Sequence, residues 1–162
     1  MPTHYKGNKR DRAALNAYIN LVRASETVLG GAGEDLAEKG LTLAQFGAIE
    51  ALFHLGPMCQ HELSEKLLRT GGNVTYVINN LERRRLVKRE RMETDQRQIV
   101  VRLTSAGQKS MERILPGHVR AIVREFSRLS MEEQETLRRL CRKLGRGAGS
   151  DTQAERIFEK TK

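Results

Sequence analysis

The chain of 162 residues has no tryptophan, only two cysteines and three prolines, and an aromatic content of 4%. With so few rings to expose, it is poorly equipped to stack unpaired bases, which argues against single-stranded nucleic acid as a ligand. Cys59 and Cys141 are too few for a disulfide framework and show no CxxC spacing, so a reducing compartment is expected and a metal site is not. No run of about 18 apolar residues is present to span a membrane. The N-terminal MPTHYKGNKRDR is followed by no apolar signal-peptide core, so the expected location is the cytoplasm. Catalytic constellations are missing too. His4, His54, His61 and His118 are scattered, and the glycines at 30, 31 and 33 follow no strand and do not form GxGxxG. The chain is therefore not expected to be an enzyme or to hold a cofactor.

What the chain does have is positive charge, with 29 Lys and Arg against 20 Asp and Glu, a net +9 and a pI near 10.0. Such a surface attracts polyanions. The most informative stretch is Thr70 to Leu86, TGGNVTYVINNLERRRL. Val74, Val77, Ile78 and Leu81 fall on one helical stripe that must pack on a core. The opposite side carries Gly72, Tyr76, Asn79 and Arg83, flanked by Thr75, Asn73 and Asn80. A merely solvated face is usually rich in Lys and Glu. This one holds side chains that pair with base edges and phosphates, as expected of a helix laid in a major groove.

Its neighbours have the pattern of a reading head. Residues 1–10 are polar and basic and are expected to be a loose arm. A helical pattern runs from Asp11 to about Lys39, with Leu15, Tyr18, Ile19, Val22, Leu29 and Leu36 in period. The three glycines between 30 and 33 are expected to bend or break it. Thr42 with Gln45 makes a capping box for a second helix ending at Gly56-Pro57. A short third helix, about Gln60 to Leu68, turns at Arg69 into the polar-faced one, capped by Thr70, to give a helix-turn-helix. After Arg85 the period changes to 2, and Leu86 to Arg91 with Gln98 to Leu103 form a hairpin whose polar connection, Met92 to Arg97, is a wing. Ile99, Val101 and Leu103 are expected on its inner face. Between Arg83 and Arg102 eight basic residues, Arg89, Arg91 and Arg97 among them, stand against three acidic ones. That surplus suits a second groove and its phosphates.

Thr104 caps a long helix expected to kink near Pro116-Gly117, and Ser130 with Glu133 caps a last one ending at Gly145. The apolar stripes of the terminal helices exceed what so small a winged domain can cover. An intertwined homodimer would bury them and place two reading helices about 34 Å apart, matching a pseudo-palindromic duplex. The fold class is thus mainly α with a small β-hairpin wing. Its expected divisions are an arm at 1–10, a dimerisation helix region at 11–40, a winged helix-turn-helix at 41–103, dimerisation helices at 104–145 and a polar tail at 146–162.

This order resembles the MarR family of bacterial winged-helix transcriptional regulators from about Leu15 to Leu144. The strings LTLAQFGAIEAL, HELSEKLLRTGGNVTYVINNLERRRLVKRE, and Asp95-x-Arg97 followed by LTSAG carry the match. The resemblance implies a homodimer on operator DNA, usually a repressor, released by a small phenolic or anionic effector or an oxidant. On these residues it implies that Asn73, Thr75, Tyr76 and Asn79 face bases or phosphates and that Arg97 enters the minor groove, oriented by Asp95. The chain departs from the family where Tyr76 replaces a common Arg and Arg85 a common Gly. By type, Tyr18, Arg23 and His54 are candidates for an effector pocket between the first, second and fifth helices, each with a plain structural or solvent-facing reading beside it. Cys59, at the entrance to the helix-turn-helix, is a candidate redox site beside a packing role. A rival reading of the whole is a winged-helix RNA-binding or protein-interaction module without operator specificity.

Overall fold

A computed structural model describes residues 3–67, 71–91 and 99–145. Six helices and a three-stranded sheet follow in the order α1 (Lys9–Glu38), α2 (Leu43–Leu55), β1 (Met58–Cys59), α3 (Gln60–Lys66), α4 (Gly71–Arg83), β2 (Val87–Arg91), β3 (Ile99–Leu103), α5 (Ser105–Phe126) and α6 (Met131–Gly145). The expected Thr70 cap and Arg69 turn, the wing connection with Asp95 and Arg97, and the tail at 146–162 lie outside the described residues. Among the described residues no helix is long and apolar enough to cross a membrane.

The first helix does not break at its glycine run. It is continuous through Gly30, Gly31 and Gly33. Ala32 and Leu36, within and just beyond that run, are buried, and tertiary packing of this kind overrides the roughly 1 kcal/mol that each glycine costs a helix relative to alanine. The arm, expected to be loose, meets this helix at Thr3. The Thr3 N–H donates to Asn16 Oδ1 at 2.7 Å, and Asn8 caps the helix by accepting from the Asp11 N–H at 2.9 Å. As expected, α5 runs as one long helix, with Pro116 inside it.

Both expected capping boxes form. Gln45 N–H donates to Thr42 Oγ1 and Thr42 N–H to Gln45 Oε1, and Ser130 exchanges the same pair of bonds with Glu133. The core gathers Leu36 and Leu41 with Phe46, Ile49 and Leu52 of α2, Leu63 of α3, the Val74, Val77, Ile78 and Leu81 stripe of α4, Val87 and Val101 of the sheet, and Met111 and Ile114 of α5. His118 is also buried, its ring centroid 4.2 Å from that of Phe46.

The wing is more than a hairpin. Strand order is β1-β3-β2, all antiparallel, with Met58 opposite Val101, Cys59 opposite Val100, and Arg89 opposite Val101 from the other side. A two-residue strand has no alternation to read, so β1 is specified only by its distant partner. As the middle strand, β3 buries Val100 and Val101 on successive positions. Ile99, expected on the inner face, is exposed. By contrast α6 has no buried residue, and Leu140 and Leu144 are 54% and 69% exposed.

Candidate nucleic-acid interface

The outward side of α4 is held by the burial of its other side. With Val74, Ile78 and Leu81 fully inside, the helix cannot rotate, so Asn73, Thr75, Tyr76, Asn79 and Arg83 are presented to solvent, Tyr76 at 68% exposure. Tyr76, Asn79, Glu82 and Arg83 line a shallow concavity on this face. Gly72 lies in the first turn. Asn80 differs from the expectation of an outward reader. It is half-buried, its amide donates to the Tyr76 carbonyl at 2.9 Å, and its oxygen accepts from Arg83.

The chain's departure at Arg85 has a visible consequence. Arg84 and Arg85 end α4 in a Schellman motif: Arg85 N–H donates to the Glu82 carbonyl at 2.8 Å and Leu86 N–H to the Leu81 carbonyl at 3.0 Å. That geometry places Arg85 at φ 57°, in the left-handed region. Thr104 Oγ1 then donates to the Arg85 carbonyl at 2.7 Å and accepts from the Gly107 N–H at 3.0 Å, joining the turn to the start of α5. The Thr-x-x-Gly of the LTSAG string is thereby explained, for a Cβ on Gly107 would lie 2.0 Å from the Leu86 carbonyl oxygen.

At the wing base the two named arginines part company. Arg91 is exposed, whereas the Arg89 side chain is only 22% exposed and turned back toward α4. Its guanidinium pairs with Glu82, its Nε donates to Gln60 Oε1 at 3.2 Å and its Nη2 to Asn79 Oδ1 at 2.7 Å. Gln60 in turn donates to Thr75 Oγ1 at 3.0 Å. Gln60 and Glu82 were not legible as site residues. Nothing local marks Gln60, although an acidic residue seven before a basic one across a helix-to-strand turn is a weak signal for the Glu82–Arg89 pair. Farther along the hairpin Glu90 accepts from Lys88 at 2.8 Å and pairs with Arg102. The Lys88 ammonium beside it, with Arg102, holds the Glu90 carboxyl below the usual carboxylate range.

The pocket candidates Tyr18, Arg23 and His54 are all exposed in the single chain, and His54 meets Phe53 edge-on at 5.1 Å. Cys59 is a half-buried free thiol at the junction of β1 and α3, and its N–H donates to Glu62 at 2.7 Å.

A family model described as MarR family matches residues 39–98, which include the helix-turn-helix and most of the wing. The HTH-type transcriptional regulator YkoM of Bacillus subtilis (strain 168) is 36% identical over 132 residues, 82% of this chain and 86% of that protein. Among solved structures, S. aureus MepR in complex with DNA is 27% identical with a TM-score of 0.69, over 78% of this chain and 95% of that one. Sco3205 of Streptomyces coelicolor, a MarR family regulator also solved with DNA, superposes with a TM-score of 0.79 over 91% of this chain and 94% of that one. At 21% identity that last likeness speaks to the fold alone.

Proposed function

The chain belongs to the MarR family of DNA-binding transcriptional regulators, and on that premise we propose that it works as a cytoplasmic homodimer on a pseudo-palindromic operator, repressing transcription until an effector releases it. The observation that carries this reading is the outward face of α4, where Asn73, Thr75, Tyr76 and Asn79 are exposed on a helix locked by its buried stripe. Asn73, Thr75, Tyr76, Asn79 and Arg83 meet bases and phosphates from the major groove, with Gly72 letting the first turn approach the backbone. Arg91, Asp95 and Arg97 belong to the wing and its minor-groove contact.

The dimer is supported by apolar surface that the single chain leaves uncovered. Tyr18, Leu21 and Leu29 of α1, Val119 and Val123 of α5, and Leu137, Leu140 and Leu144 of α6 are all exposed. A second copy burying these stripes would also wall in Tyr18, Arg23 and His54, which are exposed in the single chain. The effector is then a small phenolic or anionic molecule bound between the first, second and fifth helices, or an oxidant, with Cys59 the redox candidate beside its packing role.

The test is a titration of the purified protein, at two salt concentrations, against the duplex upstream of its own gene and a scrambled duplex. A preference of roughly a thousandfold with two protomers per site is expected of a sequence-specific regulator. Equal, steeply salt-dependent binding to both would overturn it in favour of a basic winged-helix module for RNA or acidic protein. Adding phenolic acids or peroxide to the specific complex, with Cys59→Ser as the control for oxidation, then separates the two modes of release.

A further inference from the structure

The inward turn of Arg89 settles the orientation of a side chain on the reading face. A guanidinium has only donors, so whichever atom of the Asn79 carboxamide faces it must be the oxygen. The contact is Arg89 Nη2 to Asn79 Oδ1 at 2.7 Å. Arg89 is itself held in place by three other bonds, to two partners. Its own N–H donates to Glu82 Oε1 at 3.1 Å, its guanidinium pairs with the same carboxylate, and its Nε donates to Gln60 Oε1 at 3.2 Å. With Oδ1 turned to the protein, trigonal geometry at the amide carbon turns Nδ2 and its two hydrogens away from Arg89.

We propose that Arg89 is a positioning residue that turns the amide hydrogens of Asn79 toward the groove and thereby favours the acceptor edge of guanine in each half-site. This rests on the reading above, in which α4 enters the major groove. An asparagine that pairs bidentately with adenine uses both amide atoms, accepting from N6 and donating to N7. Arg89 engages one of the two lone pairs of Asn79 Oδ1 and holds that oxygen toward the protein, which disfavours the adenine pairing because it needs the oxygen at the base edge. Guanine presents two acceptors, N7 and O6, in the same groove, and both amide hydrogens of Asn79 can be used there. Arg89 therefore acts on sequence choice through Asn79, without itself touching a base.

The experiment is binding-site selection by the full-length protein from a randomised duplex pool, followed by anisotropy titrations of the selected duplex and its single-base variants at several salt concentrations. The variants are Asn79→Ala, Asn79→Asp and Arg89→Gln. Asn79→Asp is the informative one, because a carboxylate keeps the partner of Arg89 and hence the fold, yet has no donor to offer. Wild type should select a guanine at one position per half-site. Asn79→Ala and Asn79→Asp should each lose about tenfold or more at that position and nowhere else, with Asn79→Asp gaining relative preference for cytosine, whose N4 donates. Arg89→Gln should relax guanine toward adenine at the same position while leaving the salt slope unchanged. Selection of adenine at the Asn79 position by wild type would overturn the proposal. So would an Arg89→Gln protein with unaltered base preference and a salt slope reduced by about one, the mark of a lost phosphate contact. If wild type enriches no sequence at all, it is the regulator reading that fails, and this inference goes with it.

Discussion

Replacing Arg85 by glycine should stabilise the protein, although Arg85 belongs to the basic surface. Two helices of the chain end in the same hydrogen-bonded motif. At the end of α1, Gly40 N–H donates to the Ala37 carbonyl at 2.8 Å and Leu41 N–H to the Leu36 carbonyl at 2.9 Å, while Arg85 and Leu86 repeat these bonds at the end of α4. The residue at the turning point has φ 70° in Gly40 and φ 57° in Arg85. For an L-residue with a Cβ this conformation costs about 1 to 2 kcal/mol, and glycine escapes it. Glycine also brings a more flexible unfolded chain, worth about 0.4 to 1 kcal/mol in the opposite direction. The Arg85 side chain is exposed and makes no ion pair with another described residue, so little else is lost. The net expectation for Arg85→Gly is a stabilisation of about 0.5 to 1 kcal/mol per protomer. With a urea slope of about 2 kcal/mol per molar, the unfolding midpoint should rise by roughly 0.3 to 0.5 M, at one fixed protein concentration because dimerisation couples to folding. Gly40→Ala is the mirror experiment. A Cβ there would meet only Arg84 Nη2 at an ordinary 3.7 Å, so its expected loss of about 1 kcal/mol is conformational. A lowered midpoint for Arg85→Gly would refute the reasoning and show that the arginine side chain outweighs the strain beneath it.

Gly107→Ala should cost about 1 to 3 kcal/mol, seen as a lower thermal midpoint, because its methyl group would sit 2.0 Å from the Leu86 carbonyl oxygen and push the start of α5 off the wing. Glu90→Gln should steepen the salt dependence of duplex binding by about one to two units by freeing Lys88 and Arg102, as measured by anisotropy. The folded Glu90 carboxyl titrates below its unfolded value, so its contribution to wing stability is present above the ordinary carboxylate pKa and is lost as pH falls through the depressed one. Wild type should therefore hold a constant margin in unfolding midpoint over Glu90→Gln near neutral pH, and its midpoint should fall more steeply in acid than that of Glu90→Gln. Leu140→Glu, on the uncovered face of α6, should leave a folded monomer by light scattering and weaken operator binding; a dimer that persists would place the interface elsewhere.

What was legible in the chain was local. The α4 stripe, both capping boxes and the stop at Gly56-Pro57 depend on residues within a turn or two of each other, and each forms as read. What was not legible depends on distant partners. The continuity of α1 through its glycines follows from the burial of Ala32 and Leu36, which no propensity encodes. β1 exists because Val100 and Val101 lie opposite Met58 and Cys59, some forty residues away. Placing Arg89 with the phosphate-seeking residues followed from its charge. Its actual direction depends on Glu82, Asn79 and Gln60, of which Gln60 is 29 residues distant.

That same distinction changes how the positive charge of the wing region is valued. Counted along the chain, Arg83 to Arg102 is strongly basic, but in the structure Glu82 pairs with Arg89 and Glu90 with both Lys88 and Arg102. Arg84 donates to the Gly40 carbonyl at 2.5 Å and Arg83 to Asn80, so these too are partly oriented by the protein. Among the described residues of this stretch, Arg83, Arg84, Arg85 and Arg91 are exposed without an ion pair to another described residue, the first two held by neutral acceptors. Counterion release scales with the phosphates actually neutralised, so the sequence-independent part of binding should be weaker than the raw surplus suggests. For a regulator competing against a genome of random sites, discrimination depends on the ratio of specific to non-specific affinity rather than on affinity alone. Pairing cations internally lowers the denominator of that ratio, and using one of them, Arg89, to orient Asn79 raises the numerator. The wing base thus contributes to recognition through the acids and amides that hold its arginines as much as through the arginines themselves.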